Sequence, residues 1–503
     1  MASVGQGDVV LRPPPPPEQV ADIVAAVRDA LRYPLSGPPL AAFAADGRRA
    51  TIVVEPPAFP YPGVQRDPRQ EALSATIDEL ARCGIPDDRQ TIVVAGGLGR
   101  RLGRRELERL LSPPRARSFQ GRIVVHDAEG PELVPIGERE DGAVRIRPEL
   151  LGTDLVVVVT AAETVVAGGT GALLGACDAG TVRAAAGSDS LLEVSGSPGW
   201  DLAVSIEAAL STRVPVLGVS LVFDHPRFGG ALRGYPDDDR MIDRAGRSDL
   251  RALFSILPAA IRRAVLDHQD RRLDVTAAFA GPPSVAHAEA LVRGVALRGV
   301  RLERPVDALV VGVPWFGPHL PRVSANPVTV AATALGLALR LHRDAFPLDV
   351  DGTLVLLHPL PRSFAESAQL PYGEMFEALR TDRDPEALAD AERAAAVSEP
   401  ALAAYRAGDA CHPLLPYADW AGCAPALSRL GRVVVAGCRD AAAARTLGFV
   451  PTRSVSSALT MAHGVAGGRA RVGVVLGPPY PPLLVGTEES EGAPPGGGYS
   501  SPR

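Results

Sequence analysis

Short runs of Val and Ile recur along this chain. They alternate with stretches whose apolar residues fall three and four positions apart. Thr51–Glu55 (TIVVE), Thr91–Ala95 (TIVVA), Ile123–His126 (IVVH), Asp154–Thr160 (DLVVVVT) and Pro215–Phe223 (PVLGVSLVF) are apolar on both parities. That pattern predicts strands buried on both faces, as in a parallel sheet. Pro68–Cys83 (PRQEALSATIDELARC) carries helical spacing between the first two runs. The order of strand then helix predicts an α/β fold. A longer helical pattern covers Met241–Gln269. Leu273–Ala280 and Val306–Val313 (VDALVVGV) then restart the alternation around a helix at Val285–Gly299, followed by strands at Leu354–His358 (LVLLH) and Val433–Ala436. The expectation is therefore two α/β domains with mostly parallel sheets, residues 18–270 and 271–476, with an interdomain cleft between them. Residues 1–17 end in PPPPP and are expected to form a stiff proline-rich arm. Residues 477–503, rich in Pro, Gly, Ser and Glu, are expected to be a disordered tail.

Composition narrows the chemistry. All 52 Lys and Arg positions of the 503 residues are Arg. Without a lysine, Schiff-base chemistry, a lysine-tethered cofactor and the phosphate-binding Lys of a P-loop are excluded. The formal net charge of −6 offers no broad basic field, so no nucleic-acid partner is expected. Arg100, Arg101, Arg104 and Arg105 are followed by Glu106 and Glu108, as on a solvated helix face. Cys83, Cys177, Cys411, Cys423 and Cys438 are scattered with no CxxC pair, which argues against a structural zinc site or a disulfide framework. Reduced thiols, the absence of a basic-then-apolar leader and the absence of a membrane-length apolar run lead to a cytoplasmic expectation with no membrane partner.

Several polar positions fall at strand ends, where α/β sheets place ligands. Gly168-Gly169-x-Gly171 follows the strongest strand; its amides could face a phosphate or carboxylate, or the glycines could simply serve a turn. His126-Asp127 closes another strand and reads first as a turn. His319 and Arg322 lie in the loop PWFGPHLPR ahead of Asn326-Pro327, an N-cap with Pro at the first helical position. Arg322 could hold a carboxylate there with His319 as acid or base, or the loop could be merely rigid. His358 and His412 rank next, with packed imidazoles as the alternative, and His225 beside Asp224 ranks lower. His287 and His342 look like helix residues without a role, and Cys177, Cys411 and Cys438 like packing thiols.

Several segments taken together resemble the nickel-dependent lactate racemase family: TIVVAGGLGRRLGRRELERLL, RIVVHDAEGPELVPIGE, VTAAFAGPPSVAHAEALVRGV with VDALVVGVP, the run from VPWFGPHLPR to LHRDAFP, GTLVLLHPLPRSF, and YRAGDACHPLLPYADW. The resemblance spans roughly residues 45–470. It implies a two-domain α/β protein with racemase or isomerase chemistry on a 2-hydroxy acid or related carboxylate. It also implies a nickel-pincer nucleotide tethered by Lys and ligated by His. Matched position by position, Glu55 stands near the family's acid, and Phe59 falls where an Arg belongs. Gly99 replaces the catalytic His, while Arg100 is kept. Glu163 keeps the acid of a Glu-Pro-His segment, and Gly171 occupies the tethering Lys position. Between Val182 and Ser211 there is no His. No metal ligand is assigned. Two readings follow. In one, an enzyme uses His319, His358 and Glu163 catalytically and Arg100, Arg322 and His412 for substrate, with Gly168, Gly169 and Gly171 at a cofactor. In the other, a non-catalytic descendant binds a small anion in the cleft or a protein partner, which could be a second copy of the chain.

Overall fold

The Val-rich runs pair as mostly parallel sheets in the computed structural model, which describes residues 8–44, 48–59, 61, 64, 66–140, 142–247, 256–258, 261–262, 264–265, 270–316, 323–364, 367–466, 470–477 and 480–486. The first sheet runs Val275–Gly281 (β11), Val216–Phe223 (β8), Leu155–Ala161 (β7), Ala50–Val54 (β2), Gln90–Val94 (β3) and Arg122–Val125 (β4). All neighbours are parallel except β11 on β8. The second sheet runs Val9–Leu11 (β1), Val472–Val475 (β18), Val306–Gly312 (β13), Leu348–Leu357 (β15), Leu430–Ala436 (β16) and Val450–Thr452 (β17), all parallel. The chain is thus mixed α/β.

Burial on both faces explains the sequence pattern. In the first sheet Ile52, Val54, Ile92, Val94, Val157 and Val159 enter one core, while Val53, Val93, Val156 and Val158 enter the other. The second sheet divides alike, with Leu309, Val311, Leu354, Leu356, Val433 and Val435 on one side and Ala308, Val310, Val355, Val434 and Ala436 on the other. Alternate side chains point to opposite faces, so a strand covered by helices on both sides must be apolar throughout. The helix Arg69–Arg82 supplies Leu73, Ile77 and Leu80 to one of those cores.

Strands pair across each of the three expected bounds. Val275–Gly281 pairs with β8, and the helix Pro283–Arg298 packs on both strands, so the chain around the expected boundary at 270 still belongs to the first sheet. Residues 1–17 are more than an arm, because β1 forms the edge of the second sheet with Leu11 buried. The segment from 477 is not wholly without structure. Leu483–Val485 (β19) lies between Val300–Leu302 (β12) and His342–Arg343 (β14), with Leu483 and Val485 buried. Of the long pattern Met241–Gln269, a helix at Asp239–Arg247 is seen, and most of the remainder falls outside the described residues. Among the described residues, no helix is long and apolar enough to cross a membrane.

Candidate functional site

The carboxyl ends of β2, β7 and β8 converge on a buried cluster of charge. Glu55 follows β2 directly, and Glu163 follows β7 by two residues. Arg69 opens the helix Arg69–Arg82 and lies 5.4 Å over the Phe223 ring that ends β8. Its Nε donates to Asp67 at 3.0 Å, and a terminal nitrogen donates to Glu163 Oε2 at 3.0 Å. The Ala58 amide donates to the same Oε2 at 2.9 Å. Oε1 of Glu163 and Oε1 of Glu55 are both closed off from solvent and have no hydrogen-bond partner. Burial, then the charge of Glu163, pushes the Glu55 carboxyl up to about 8, against the pull of Arg69. At neutral pH Glu55 is therefore a proton-bearing acid.

Aromatic rings border this cluster. Phe59 stacks on Tyr480 with centroids 5.0 Å apart, and Tyr61 meets both edge-on at 5.8 and 6.1 Å. Burial first, then Glu163, raises the Tyr61 phenol. Burial, then Tyr61, raises that of Tyr480, whose hydroxyl is buried without a partner. The arrangement can hold a proton on a carboxyl sheltered from water and beside a second carboxyl, which is the ingredient of acid–base chemistry. It offers little to a carboxylate ligand, because Asp67 and Glu163 already engage the Arg69 guanidinium.

The other expected residues go elsewhere. His319 and Arg322 lie outside the described residues. Arg100 pairs with Glu106 and reaches the Gly408 carbonyl at 3.4 Å. His412 is fully buried; its Nδ1 accepts from the Leu414 amide at 3.1 Å, so Nε2 carries the hydrogen to Glu129 at 3.1 Å. Arg100 and His412 therefore do meet in one region, a seam between the two sheets. Tyr405 closes the same seam: its hydroxyl accepts from the Ala128 amide at 3.0 Å and donates to the Gly97 carbonyl at 3.4 Å. The His412 amide adds a bond to Leu98 at 3.0 Å. Here the expected cleft is joined by direct hydrogen bonds. His358 directly follows β15, buried, with Nδ1 accepting from the Leu360 amide at 3.0 Å.

The glycine turn is packed against its own surroundings. Gly169 donates to Thr160 Oγ1 at 2.7 Å and Gly171 to the Gly168 carbonyl at 2.9 Å, so these amides are used internally. Gly168 and Gly169 have φ of 118° and 52°. A Cβ on Gly169 would lie 2.2 Å from His287 Cβ, and one on Gly171 would lie 2.0 Å from the Val166 carbonyl oxygen. His287, expected to have no role, is the residue that fills the turn, and its Nε2 donates to the Thr164 carbonyl at 2.8 Å. His126 and His225 likewise donate to the carbonyls of Cys177 and Arg298. Burial is the main cause that lowers these imidazoles, to about 4 for His287 and His126 and about 3 for His225, so all three are neutral. His342 is buried too, with both ring nitrogens unpartnered.

A tethered nickel-pincer group does not fit these residues. The Gly171 position has no space for a side chain, the neighbouring space holds His287, and the chain has no lysine. Among the described residues, no group of three or more His, Cys, Asp and Glu side chains is placed to hold a metal.

Arg69 was missed by the sequence analysis, yet it left a signal. A cation in the first turn of a helix faces the positive end of the helix dipole, so an Arg directly after Asp67-Pro68 calls for carboxylates nearby. Tyr480 left none, being one aromatic in a Pro- and Gly-rich stretch.

Comparison with known proteins bears on this arrangement. Residues 6–181 match the lactate racemase N-terminal domain family. The lactate racemase apoprotein from Thermoanaerobacterium thermosaccharolyticum superposes with a TM-score of 0.60 over 95% of this chain and 94% of that chain, at 15% identity, which is a likeness of fold. A Thermotoga maritima protein from a structural genomics consortium covers 92% of this chain and 97% of its own at 9% identity, with a TM-score of 0.47 too low to carry an argument. No curated protein matches the chain.

Proposed function

We propose that this chain, whose residues 6–181 match the lactate racemase N-terminal domain family, keeps the scaffold without the pincer chemistry and works by holding a small anion rather than by turning one over. The observation that carries this reading is the Gly168–Gly171 turn. A covalent tether needs a nucleophilic amine and room for it, and this turn has neither: a Cβ on Gly171 already meets a backbone oxygen at 2.0 Å. The seam adds support. Arg100 and His412, the side chains expected to grip a substrate carboxylate, are engaged by Glu106 and Glu129.

One observation favours a second reading, that of a cofactor-independent proton-transfer enzyme. Glu55 and Glu163 each keep a buried oxygen without a partner, and Glu55 holds a proton at neutral pH. A carboxyl kept neutral beside a second carboxyl can exchange protons with a bound substrate.

Incubating the purified full chain with L-lactate and separately with D-lactate, alongside a metal measurement, separates the two. The holding reading expects neither racemisation nor stoichiometric nickel. Racemisation accompanied by one nickel per chain would overturn it. Turnover without nickel that disappears in Glu163→Gln would replace it with the proton-transfer reading.

A further inference from the structure

The second half of the chain carries a cavity with a composition unlike that of the acid cluster. Its volume is about 390 Å³, and its lining includes Arg362, Phe376, Arg380, Arg383, Arg445 and Thr446. Four exposed arginines line this one open concavity, and among the described residues no carboxylate is in the lining. Glu377, on the helix Leu370–Ala378, pairs with Arg362 and with Arg380 and so offsets one of the four charges.

Two of the four guanidiniums are held in place by the fold. Arg383 donates from Nε to the Thr446 carbonyl at 2.8 Å and from a terminal nitrogen to the Arg445 carbonyl at 2.9 Å, which ties it to the end of the helix Ala441–Thr446. Arg362 lies 5.6 Å over the ring of buried Phe376. Like charges gathered in one concavity repel one another, and an anion entering it cancels that repulsion. A guanidinium presents a planar fork of N–H donors that matches phosphate oxygens two at a time. A cavity of this size lies in the range of small-molecule sites. A singly charged carboxylate would leave most of the positive charge unmatched, whereas a phosphorylated ligand would not.

We propose that this arginine-lined cavity binds a phosphorylated small molecule carrying two or more negative charges. The inference deepens the anion-holding reading by giving it a place and a ligand class. It does not depend on whether the acid cluster turns over.

Isothermal titration of the full chain with inorganic pyrophosphate at low salt tests it, with malonate as the dicarboxylate comparison. Saturable binding of pyrophosphate is expected, at least tenfold tighter than malonate. It should weaken at least tenfold in Arg380→Ala and in Arg445→Ala and stay unchanged in Arg104→Ala, whose exposed side chain lies outside the cavity. Hydrogen–deuterium exchange on the unaltered chain needs no variant, and added pyrophosphate should protect the helix Ala441–Thr446. No saturable binding, equal weakening in Arg104→Ala, or no protection of that helix would overturn the proposal. So would a single-stranded oligonucleotide that binds more tightly than pyrophosphate, because it would point to an open electrostatic surface. Lactate racemisation with pyrophosphate binding intact would sink the holding reading alone.

Discussion

Glu55 holds its proton because burial, with Oε1 closed off from solvent, and the nearby charge of Glu163 both disfavour its ionised form. An acid whose folded value rises from 4.5 to about 8 binds a proton in the folded chain that the unfolded chain has released over that interval. The unfolded state then binds fewer protons, so this group makes stability fall as pH rises, by up to about 1.4 kcal/mol per pH unit. Glu55→Gln should remove that contribution. Urea denaturation at about pH 5 and about pH 8 should show the variant gaining on the unaltered chain at the higher pH, and an unchanged difference would refute the assignment. The buried imidazoles act with the opposite sign. His126, His225 and His287 are neutral when folded and would charge on unfolding, so their contribution is present above 6.5 and is lost as pH falls towards 4. Comparing one variant with its parent cancels these groups and isolates Glu55. At this scale the sequence was partly readable: the family resemblance pointed to Glu163 and Glu55, and Arg69 was detectable from its unfavourable place in a helix. The role of His287 could not be read, because nothing near Pro283 in sequence points to the turn at Gly168.

Element by element, the long apolar strands were legible and the three-residue strands were not. A run such as Leu155–Ala161, buried throughout, is long enough to show that both faces are covered. Val9–Leu11 and Leu483–Val485 are too short to display a period, and the Pro-rich flanks around them dominate any average over the window. Their partners make them strands: β1 exists because β18 lies beside it, and β19 because β12 and β14 flank it. Ending the chain after Pro481 should therefore destabilise it. Burial of Leu483 and Val485 is worth about 1.5–3 kcal/mol for each side chain, and β12 and β14 would also lose their shared neighbour. A lower urea midpoint than that of a chain ended after Gly486 is the expected outcome. Equal midpoints would mean that β19 adds nothing to stability.

In the molecule as a whole, the two sheets are joined by polar contacts from residues distant in sequence. The Tyr405 hydroxyl reaches Ala128 and Gly97, His412 reaches Glu129 and Leu98, and Arg183 pairs with Glu392. Tyr405→Phe would leave the Ala128 amide buried without its acceptor, at a cost of about 1–3 kcal/mol. Denaturant unfolding should register that loss, and amide exchange at Ala128 should quicken. If neither changes, the seam does not depend on this hydroxyl. By itself the sequence determined that parallel sheets would form, since strands apolar on both parities must be covered on both faces. It also excluded lysine chemistry, since that needs only a count. The tertiary structure alone decided which sheet each short strand joins, and whether Arg100, His412 and the glycine turn face a ligand or another part of the chain. The physical reason is that such partners lie far apart along the chain. Closing a longer loop costs only slightly more than closing a shorter one, so sequence distance carries almost no information about which groups will meet.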